Sequence, residues 1–326
     1  MPVLICLPLM ALAVVGILVI VPLAVALGLV PLAIVAPVLL WLDRVEPEPW
    51  AAKLHAFLWG LGVAGVVAVV INTLVGLVFG SAVGAVVSAP IVEEAGKALA
   101  IVWAIRRREV DSVMDGVIYA GWAGLGFAVV EDMFYFADAG PALGQLFVVR
   151  ALLTPFAHPL FTVWIGVALG RTVERASPRS GAIWGYVAAV ALHAAWNGSL
   201  VATEASGTFT VVLLAALGFV ILFVLGAVAL YRARRAEQER FVAWVPHLVH
   251  RHGIDPAVAN SFITWRTMLA ARRRLRGRDR RRFDALHIGL ARLAALHANA
   301  ARRGEQPDSA EEARLVDLLR SGLTAG

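Results

Sequence analysis

Long apolar stretches occupy most of the first 231 residues, and the first of them, residues 2–42, contains no charged side chain. A helix rises about 1.5 Å per residue and the hydrocarbon core of a bilayer is about 30 Å thick, so about 20 apolar residues span it. Residues 2–42 would extend about 60 Å as one helix, twice that thickness. They therefore predict two membrane-spanning helices with a turn near Gly28–Pro31. A cleaved signal peptide is the competing interpretation of the start.

Six further apolar stretches bring the predicted number of membrane-spanning helices to about eight. They cover residues 53–72, 84–105, 114–136, 147–169, 181–202 and 208–231. The composition agrees, because 60% apolar and 16% charged residues depart from the roughly 45–50% and 25% that are usual in soluble domains. The fold class predicted for residues 1–231 is therefore an all-α, polytopic transmembrane helix bundle.

Basic residues are distributed unevenly over the connecting segments. Arginines lie at 106–108, between 171 and 179 and after Tyr231, whereas the segments near 73–83, 137–146 and 203–207 contain neither Lys nor Arg. Because basic loops tend to remain in the cytoplasm, this alternation predicts that both termini are cytoplasmic.

Residues 232–326 are rich in arginine, and apolar positions recur there at helical spacing. They predict a small, basic, helical region on the cytoplasmic side. Eight of the eleven positions of Arg272–Arg282 are arginine. A solvated surface and a contact with anionic lipid headgroups are both compatible with this block. Binding of nucleic acid is not expected, because few aromatic residues are interleaved.

Ionisable side chains inside the predicted spans are few and lie on four consecutive helices, although each costs at least about 2.5–3.5 kcal/mol on insertion. They are Glu93, Glu94 and Lys97 on the fourth span, Glu131 and Asp132 on the fifth, Arg150 and His158 on the sixth, and His193, with the amide of Asn197, on the seventh. Structural alternatives exist, because a Glu–Lys pair can join helices and a histidine can pack within a bundle. Arg150 can extend to the interface or pair with Glu131 or Asp132.

Counting residues from the outer end of each span places four of these groups at a common depth. Glu93, Glu94, His158 and His193 come out about 13–16 Å below the outer surface, and Glu131 about 8 Å below it. Carboxylates and imidazoles at one depth can hold and polarise a water molecule, with a carboxylate as general base and an amide near the developing oxyanion. The convergence favours a catalytic site over scattered structural pairs.

Four short motifs contain these residues. They are EEAGK with Glu93, Glu94 and Lys97, FAVVE with Phe127 and Glu131, AHPLFT with His158, and LHAAWN with His193 and Asn197. In this order, over roughly residues 40–231, the chain resembles the PrsW family of intramembrane proteases, within the wider group that includes the CAAX-type prenyl proteases. Asp132 departs from the family pattern, which often has Asn after the glutamate.

The resemblance implies an intramembrane endopeptidase of the bacterial plasma membrane. Its expected substrate is a single-span membrane protein cut near the extracytoplasmic side, and for the best-known member of the family that substrate is an anti-sigma factor. The resemblance also implies a metalloprotease, with Zn²⁺ bound by Glu131, His158 and His193. Glutamate-dependent hydrolysis without a metal is the alternative.

A hypothesis for the roles of the individual residues follows from their chemistry. Glu93 is expected to act as general base, with Glu94 and Lys97 adjusting its protonation state. The other candidates are Glu131 and His158, which would orient water or bind metal, His193 and Asn197, which would stabilise the oxyanion, and Phe127, Asp132 and Arg150, which would support the site. A proton- or ion-coupled transporter and a non-catalytic scaffold of the same fold are the alternative functions. Transporters usually contain paired repeats with interrupted helices, and the sequence shows no such pairing.

Overall fold

The structure is a computed structural model that describes residues 2–174 and 180–324. Within this part of the chain the regular elements are all helices and no strand occurs, which confirms the predicted fold class. Six described helices are long and apolar enough to cross a membrane: Pro2–Ile20, Pro22–Leu42, Trp50–Phe79, Val113–Asp138, Gly140–Glu174 and Leu213–His252. The polytopic bundle is thus confirmed, whereas the predicted total of eight spans stays a prediction.

The first turn of the chain lies at Val21 and not near Gly28–Pro31, where the sequence placed it. Pro2–Ile20 ends there and the next helix begins at Pro22. Proline lacks a backbone N–H and disfavours helical backbone in the residue before it, and Val21 accordingly has φ −135° and ψ 69°. Leu29, in contrast, keeps right-handed helical angles between Pro22–Gly28 and Val30–Leu42.

The connection predicted at 73–83 is also much shorter than expected. The helix Trp50–Phe79 continues through the apolar residues after 72, and the chain reverses at Gly80, which has φ 95°. Only glycine adopts such a backbone without strain. Helical structure resumes at Ser81–Val83, and the π-helical segment Gly84–Ser88 leads into the next helix.

Five helices supply polar side chains of the site and are named here after one residue each, whereas Arg150 lies in the π-helical segment Val148–Leu153. They are the Asn72 helix (Trp50–Phe79), the Glu93 helix (Ala89–Arg106), the Glu131 helix (Val113–Asp138), the His158 helix (Ala157–Glu174) and the His193 helix (Ser180–Ser206). The Glu131 helix is the most deeply buried of the six candidate spans. Its Gly124 lies so close to the backbone of His158 and Pro159 that an added Cβ would meet them at 2.8–2.9 Å. This glycine therefore lets the His158 backbone approach the central helix.

The described residues form two compact units. The first consists mainly of residues before Tyr231, and the second of residues from Tyr231 onward together with the segment Arg44–Pro47. The long helix (Phe209–His252) runs without a break through the predicted boundary between residues 231 and 232. The division into a transmembrane protease-like domain and a basic cytoplasmic region therefore stays a prediction.

The second unit contains a hydrophobic core of its own. The helices Pro256–Ser261, Trp265–Arg274, Gly277–Arg303 and Ser309–Thr324 follow the long helix. Leu248, Leu290 and Leu293 are almost completely buried in this core. Arg272, the first residue of the arginine block, donates two hydrogen bonds of 2.7 and 2.8 Å to Asp284. Lipid binding by Arg272–Arg282 stays a prediction.

Acid should destabilise this second unit through His287. Burial lowers the pKa of His287 to about 4, against the opposing attraction of Asp284. The unfolded histidine titrates near 6.5, so its contribution to stability is complete above that pH and is lost as the pH falls towards 4. The expected loss is on the order of 3 kcal/mol by pH 4.

Hydrogen exchange of the full-length chain at pH 7 and pH 4.5, corrected for intrinsic rates, measures this effect. Peptides from Gly277–Arg303 should lose protection at the lower pH. The His287→Gln variant cannot titrate, so its protection should depend much less on pH. An equal dependence in both proteins would contradict the assignment to His287.

Candidate active site

The structure brings the predicted carboxylates and imidazoles of four helices into one cluster. The Glu93 helix contributes Glu93 and Glu94, the Glu131 helix contributes Glu131, and the rings of His158 and His193 lie 5.3 Å apart between their centroids. Of these five side chains, only Glu131 is more than a tenth exposed. The four side chains that the sequence placed at a common depth therefore also lie close to one another.

Glu94 is the hydrogen-bonded centre of this cluster. Its Oε1 accepts hydrogen bonds from Lys97 Nζ at 2.8 Å and from His193 Nδ1 at 3.1 Å, and its Oε2 accepts one from Thr162 Oγ1 at 2.8 Å. The residue is completely buried. Because both oxygens are engaged, Glu94 is suited to orienting its neighbours and poorly suited to taking a proton from water.

Glu93 differs from its neighbour because one of its oxygens is open. Oε1 accepts a hydrogen bond of 3.3 Å from Asn72 Nδ2. Oε2 is buried and accepts no hydrogen bond within the described part of the chain. Its nearest charged or basic atoms are Lys97 Nζ at 3.6 Å and His193 Nε2 at 3.8 Å. Of the two adjacent glutamates, Glu93 therefore has the free acceptor that a general base or a metal ligand requires.

Lys97 determines which nitrogen of His158 has the proton. Its Nζ lies 3.0 Å from His158 Nδ1 and 4.1 Å from the centroid of the Phe127 ring. A lysine ammonium only donates, so Nδ1 accepts and Nε2 is the protonated nitrogen. Nε2 then donates to Glu131 Oε2 at 2.6 Å. The hydrogen bonds on both sides hold His158 as a neutral ring in one orientation.

Arg150 pairs with acidic residues and does not extend alone to the membrane interface. It forms ion pairs with Glu131 and, at 2.6 Å, with Asp132. The contact between Glu131 and His158 also corrects the depth estimate, which separated these residues by several ångströms. The Glu131 helix continues to Asp138, beyond the predicted end at 136, and the glutamate side chain covers the remaining distance.

A cavity of about 490 Å³ opens beside the cluster. Four of the predicted residues line it and so face one space: Glu93, Phe127, Glu131 and Asn197. Asn197 Nδ2 donates a hydrogen bond of 2.8 Å to the carbonyl oxygen of Ala85, in the π-helical segment. An amide nitrogen has two N–H groups, so this contact fixes Asn197 and leaves a second donor available.

Three site residues were not predicted from the sequence. Asn72 contacts Glu93 and accepts a hydrogen bond of 2.8 Å from Ser88, and Thr162 contacts Glu94. The available signals were weak: Asn72 is a lone amide within an apolar stretch, and Thr162 follows His158 by four residues on the same helix face. Uncharged polar residues are tolerated in membrane spans, so none of the three was recognised as a site residue.

The chemistry of the cluster fits a divalent cation. One ligand atom each from Glu93, His158 and His193 lies within 4.8 Å of the others. His193 donates from Nδ1 to Glu94, which leaves the Nε2 lone pair facing the open oxygen of Glu93. Two ligands of a tetrahedral Zn²⁺ are about 3.4 Å apart, close to the 3.8 Å found here.

Two further observations bear on the metal. The site has four carboxylates, of Glu93, Glu94, Glu131 and Asp132, against the cations of Lys97 and Arg150, so a divalent ion would balance the formal charge. Both nitrogens of His158 are engaged, so this residue must give up one contact to become a ligand. The predicted ligand Glu131 lies outside the group of three, because its carboxylate receives Arg150 and His158.

Comparison with known proteins adds independent information. The profile of a family described as PrsW family intramembrane metalloprotease matches residues 48–228. This range is more than half of the chain and includes the catalytic candidates from Glu93 to Asn197. No solved structure matches the chain significantly.

Three curated relatives have the same name, Protease PrsW. The protein from Geobacillus kaustophilus (strain HTA426) is 28% identical over 171 residues, which are 51% of this chain and 75% of that protein. The one from Clostridioides difficile (strain 630) is 33% identical over 87 residues, 26% of this chain and 37% of that protein. The one from Oceanobacillus iheyensis (strain DSM 14371) is 28% identical over 138 residues, 42% of this chain and 59% of that protein.

Proposed function

The chain belongs to the PrsW family of intramembrane metalloproteases, and from this premise we propose that Glu93 activates the water that hydrolyses the substrate. The membrane-embedded protein is thus a protease whose substrate is a membrane protein. The observation that carries the proposal is the open Oε2 of Glu93 beside His193. Glu94, whose two oxygens are both hydrogen-bonded, positions Lys97 and His193 around it.

In the proposed reaction, Glu93 Oε2 takes a proton from water while the water oxygen attacks the carbonyl carbon of the scissile peptide bond. The carbonyl oxygen becomes an oxyanion, which the second N–H of Asn197 stabilises. Glu93 then gives the proton to the amide nitrogen as the carbon–nitrogen bond breaks, and the products are a carboxylic acid and an amine.

His193 and His158 have supporting roles in this proposal. With its proton on Nδ1 facing Glu94, His193 presents an acceptor at Nε2 that can orient the water. The sequence suggested an oxyanion role for His193, and this tautomer favours the water instead. Glu131 orients His158 through its 2.6 Å contact, while Arg150, which also pairs with Asp132, holds Glu131. Lys97, whose ammonium faces Phe127, keeps a positive charge near both glutamates.

Zn²⁺ is the proposed cofactor, and His193 and, after loss of one contact, His158 would hold it beside Glu93. Glu93 Oε2 would stay free as the base, and His193 would then hold the ion and not the water. When bound, it would lower the pKa of a coordinated water and polarise the substrate carbonyl. Purified protein should contain close to one zinc per chain by elemental analysis, and chelation should abolish cleavage until zinc is added back. The His193→Ala variant should lose most of the metal. Full activity of metal-depleted protein would favour the glutamate mechanism without zinc.

Asn72 should act as a positioning residue for Glu93. Asn72→Ala removes the hydrogen bond to Glu93 Oε1 and leaves Ser88 without an acceptor there. A misoriented base should lower kcat about tenfold to a hundredfold with little change in KM, because the substrate contacts remain. Asn72→Asp keeps the oxygen that accepts the hydrogen bond from Ser88 but lacks the amide that donates to Glu93, so it should not restore kcat. A normal kcat in Asn72→Ala would show that Glu93 is held by other contacts.

The finer identity of the substrate is proposed by analogy. We expect a single-span, anti-sigma-factor-like protein of a bacterial plasma membrane, cut near its extracytoplasmic side, with both termini of the protease in the cytoplasm. The full chain in proteoliposomes, incubated with a tagged single-span protein, should release two fragments whose new ends mass spectrometry locates within or beside the span. Binding without fragments would indicate a scaffold. Ion flux in protein without protease activity would indicate a transporter.

A further inference from the structure

A second cavity, of about 220 Å³, lies within the second compact unit. None of its lining residues belongs to the candidate active site. Arg44, Arg234 and His287 line it together with the aromatic side chains of Phe262 and Trp265. The proposed protease reaction makes no use of this space.

Cationic side chains contribute to the lining of the cavity. Two guanidinium groups, of Arg44 and Arg234, line it, and no carboxylate does among the described residues. Burial and the charge of Arg234 both lower the pKa of Arg44, so the two like charges act on each other. Glu237 attracts Arg234 but is not part of the lining.

A helix start adds to the positive potential. Thr264 caps the ten-residue helix Trp265–Arg274, and both Thr264 and Trp265 line the cavity. The first turn of a helix has a partial positive charge that favours anions. The guanidinium carbon of Arg44 lies 5.1 Å from the centroid of the Trp265 ring, so the ring holds this arginine at the cavity.

Size and position indicate the type of anion. A volume of about 220 Å³ is below the roughly 300–1,000 Å³ of pockets for drug-sized ligands, so it suits a headgroup better than a nucleotide. Arginine binds phosphate with two parallel hydrogen bonds. Arg44 is the second residue after the candidate span Pro22–Leu42, and Arg234 follows the apolar segment 213–230 of the long helix. Basic side chains next to the end of an apolar segment are placed to contact anionic lipid headgroups.

We propose that this cavity binds the phosphate of an anionic phospholipid headgroup, with Arg44 and Arg234 as its ligands. The site is distinct from the arginine block 272–282, because it is a cavity with aromatic side chains in its lining and none of the arginines of that block lines it. A bound lipid would attach the second unit to the membrane surface through one specific contact.

Native mass spectrometry of the full chain, released from micelles with defined lipids, tests the proposal. The wild type should retain phosphatidylglycerol in preference to phosphatidylcholine. The double variant Arg44→Gln/Arg234→Gln should bind phosphatidylglycerol at least tenfold more weakly. The matched control Arg266→Gln/Arg314→Gln removes two exposed charges from the same unit, outside the arginine block 272–282, and should change binding less than twofold. Arg44→Lys/Arg234→Lys keeps the charge and should retain part of the affinity.

The possible outcomes separate the sources of the phosphate. Loss of binding in the glutamine double variant, with retention in the control, supports the proposal. An equal loss of binding in the glutamine double variant and in the matched control overturns it, and so does unchanged binding in both of these proteins. Inorganic phosphate alone, added to protein in phosphatidylcholine, should neither raise the melting temperature nor displace the lipid; an effect that depends on both arginines would assign the cavity to a free anion instead. If the glutamine double variant does not fold, the single variant Arg234→Gln and the lysine variant provide the same comparison.

Discussion

Glu93→Gln should reduce peptide-bond cleavage by at least about a thousandfold, since general base catalysis contributes roughly 10²–10⁴ in rate and the same change weakens any metal site. Glutamine has nearly the size of glutamate and keeps an oxygen that can accept from Asn72. It cannot take a proton from water at neutral pH. The variant should therefore insert into the membrane and keep its helical content while losing turnover.

The comparison with other glutamate-to-glutamine variants makes this result specific. Glu204 is exposed on the His193 helix, so Glu204→Gln should leave the rate unchanged. Glu94→Gln should lower both rate and stability, because Glu94 receives three hydrogen bonds from buried groups. Initial rates on a tagged single-span substrate, with circular dichroism as the folding control, measure all three. Activity of Glu93→Gln within tenfold of the wild type would contradict the assignment of the base.

The sequence was sufficient to predict the bundle and four of the five helices that contribute to the site, but not the contribution of the Asn72 helix. A charge within an apolar span is expensive, so Glu93, Lys97 and His193 are conspicuous wherever they occur. The same cost explains why these residues meet, since each buried charge requires a partner. Family resemblance added the expected chemistry, and the family itself is now established by the match over residues 48–228.

The pairing of individual atoms could not be predicted, because it depends on how each helix is rotated about its axis. Glu93 and Glu94 are adjacent and about 100° apart on the helix, so the sequence indicates different roles but not which oxygen remains open. The contact of Glu131 with His158 depends on side-chain reach, which counting residues along a span neglects. The turn at Val21 could have been predicted from Pro22. The sequence analysis instead placed the turn near Gly28–Pro31.

Lys97→Met should destabilise the protein by about 3–5 kcal/mol, because removal of one partner leaves a buried charge uncompensated. Lys97 is completely buried and lies 2.8 Å from Glu94 and 3.6 Å from Glu93. Methionine fills a similar volume, so the loss of stability arises mainly from removal of the positive charge of Lys97. The double variant Glu94→Gln/Lys97→Met removes both partners and should be clearly more stable than the sum of the single losses predicts.

The chain has only two lysines, and the second one provides the control that separates stability from catalysis. Lys53 is also buried in an ion pair, with Asp43, but it lies outside the cavity beside Glu93. Lys53→Met should therefore cost a comparable amount of stability in denaturant or thermal unfolding, yet the folded fraction should cleave substrate normally. Lys97→Met should lose activity even after correction for the folded fraction, because His158 loses the donor at Nδ1 and both glutamates lose a positive charge. Equal specific activities of the two folded variants would make Lys97 a purely structural residue, and its contact with the catalytic cluster would then have no part in the reaction.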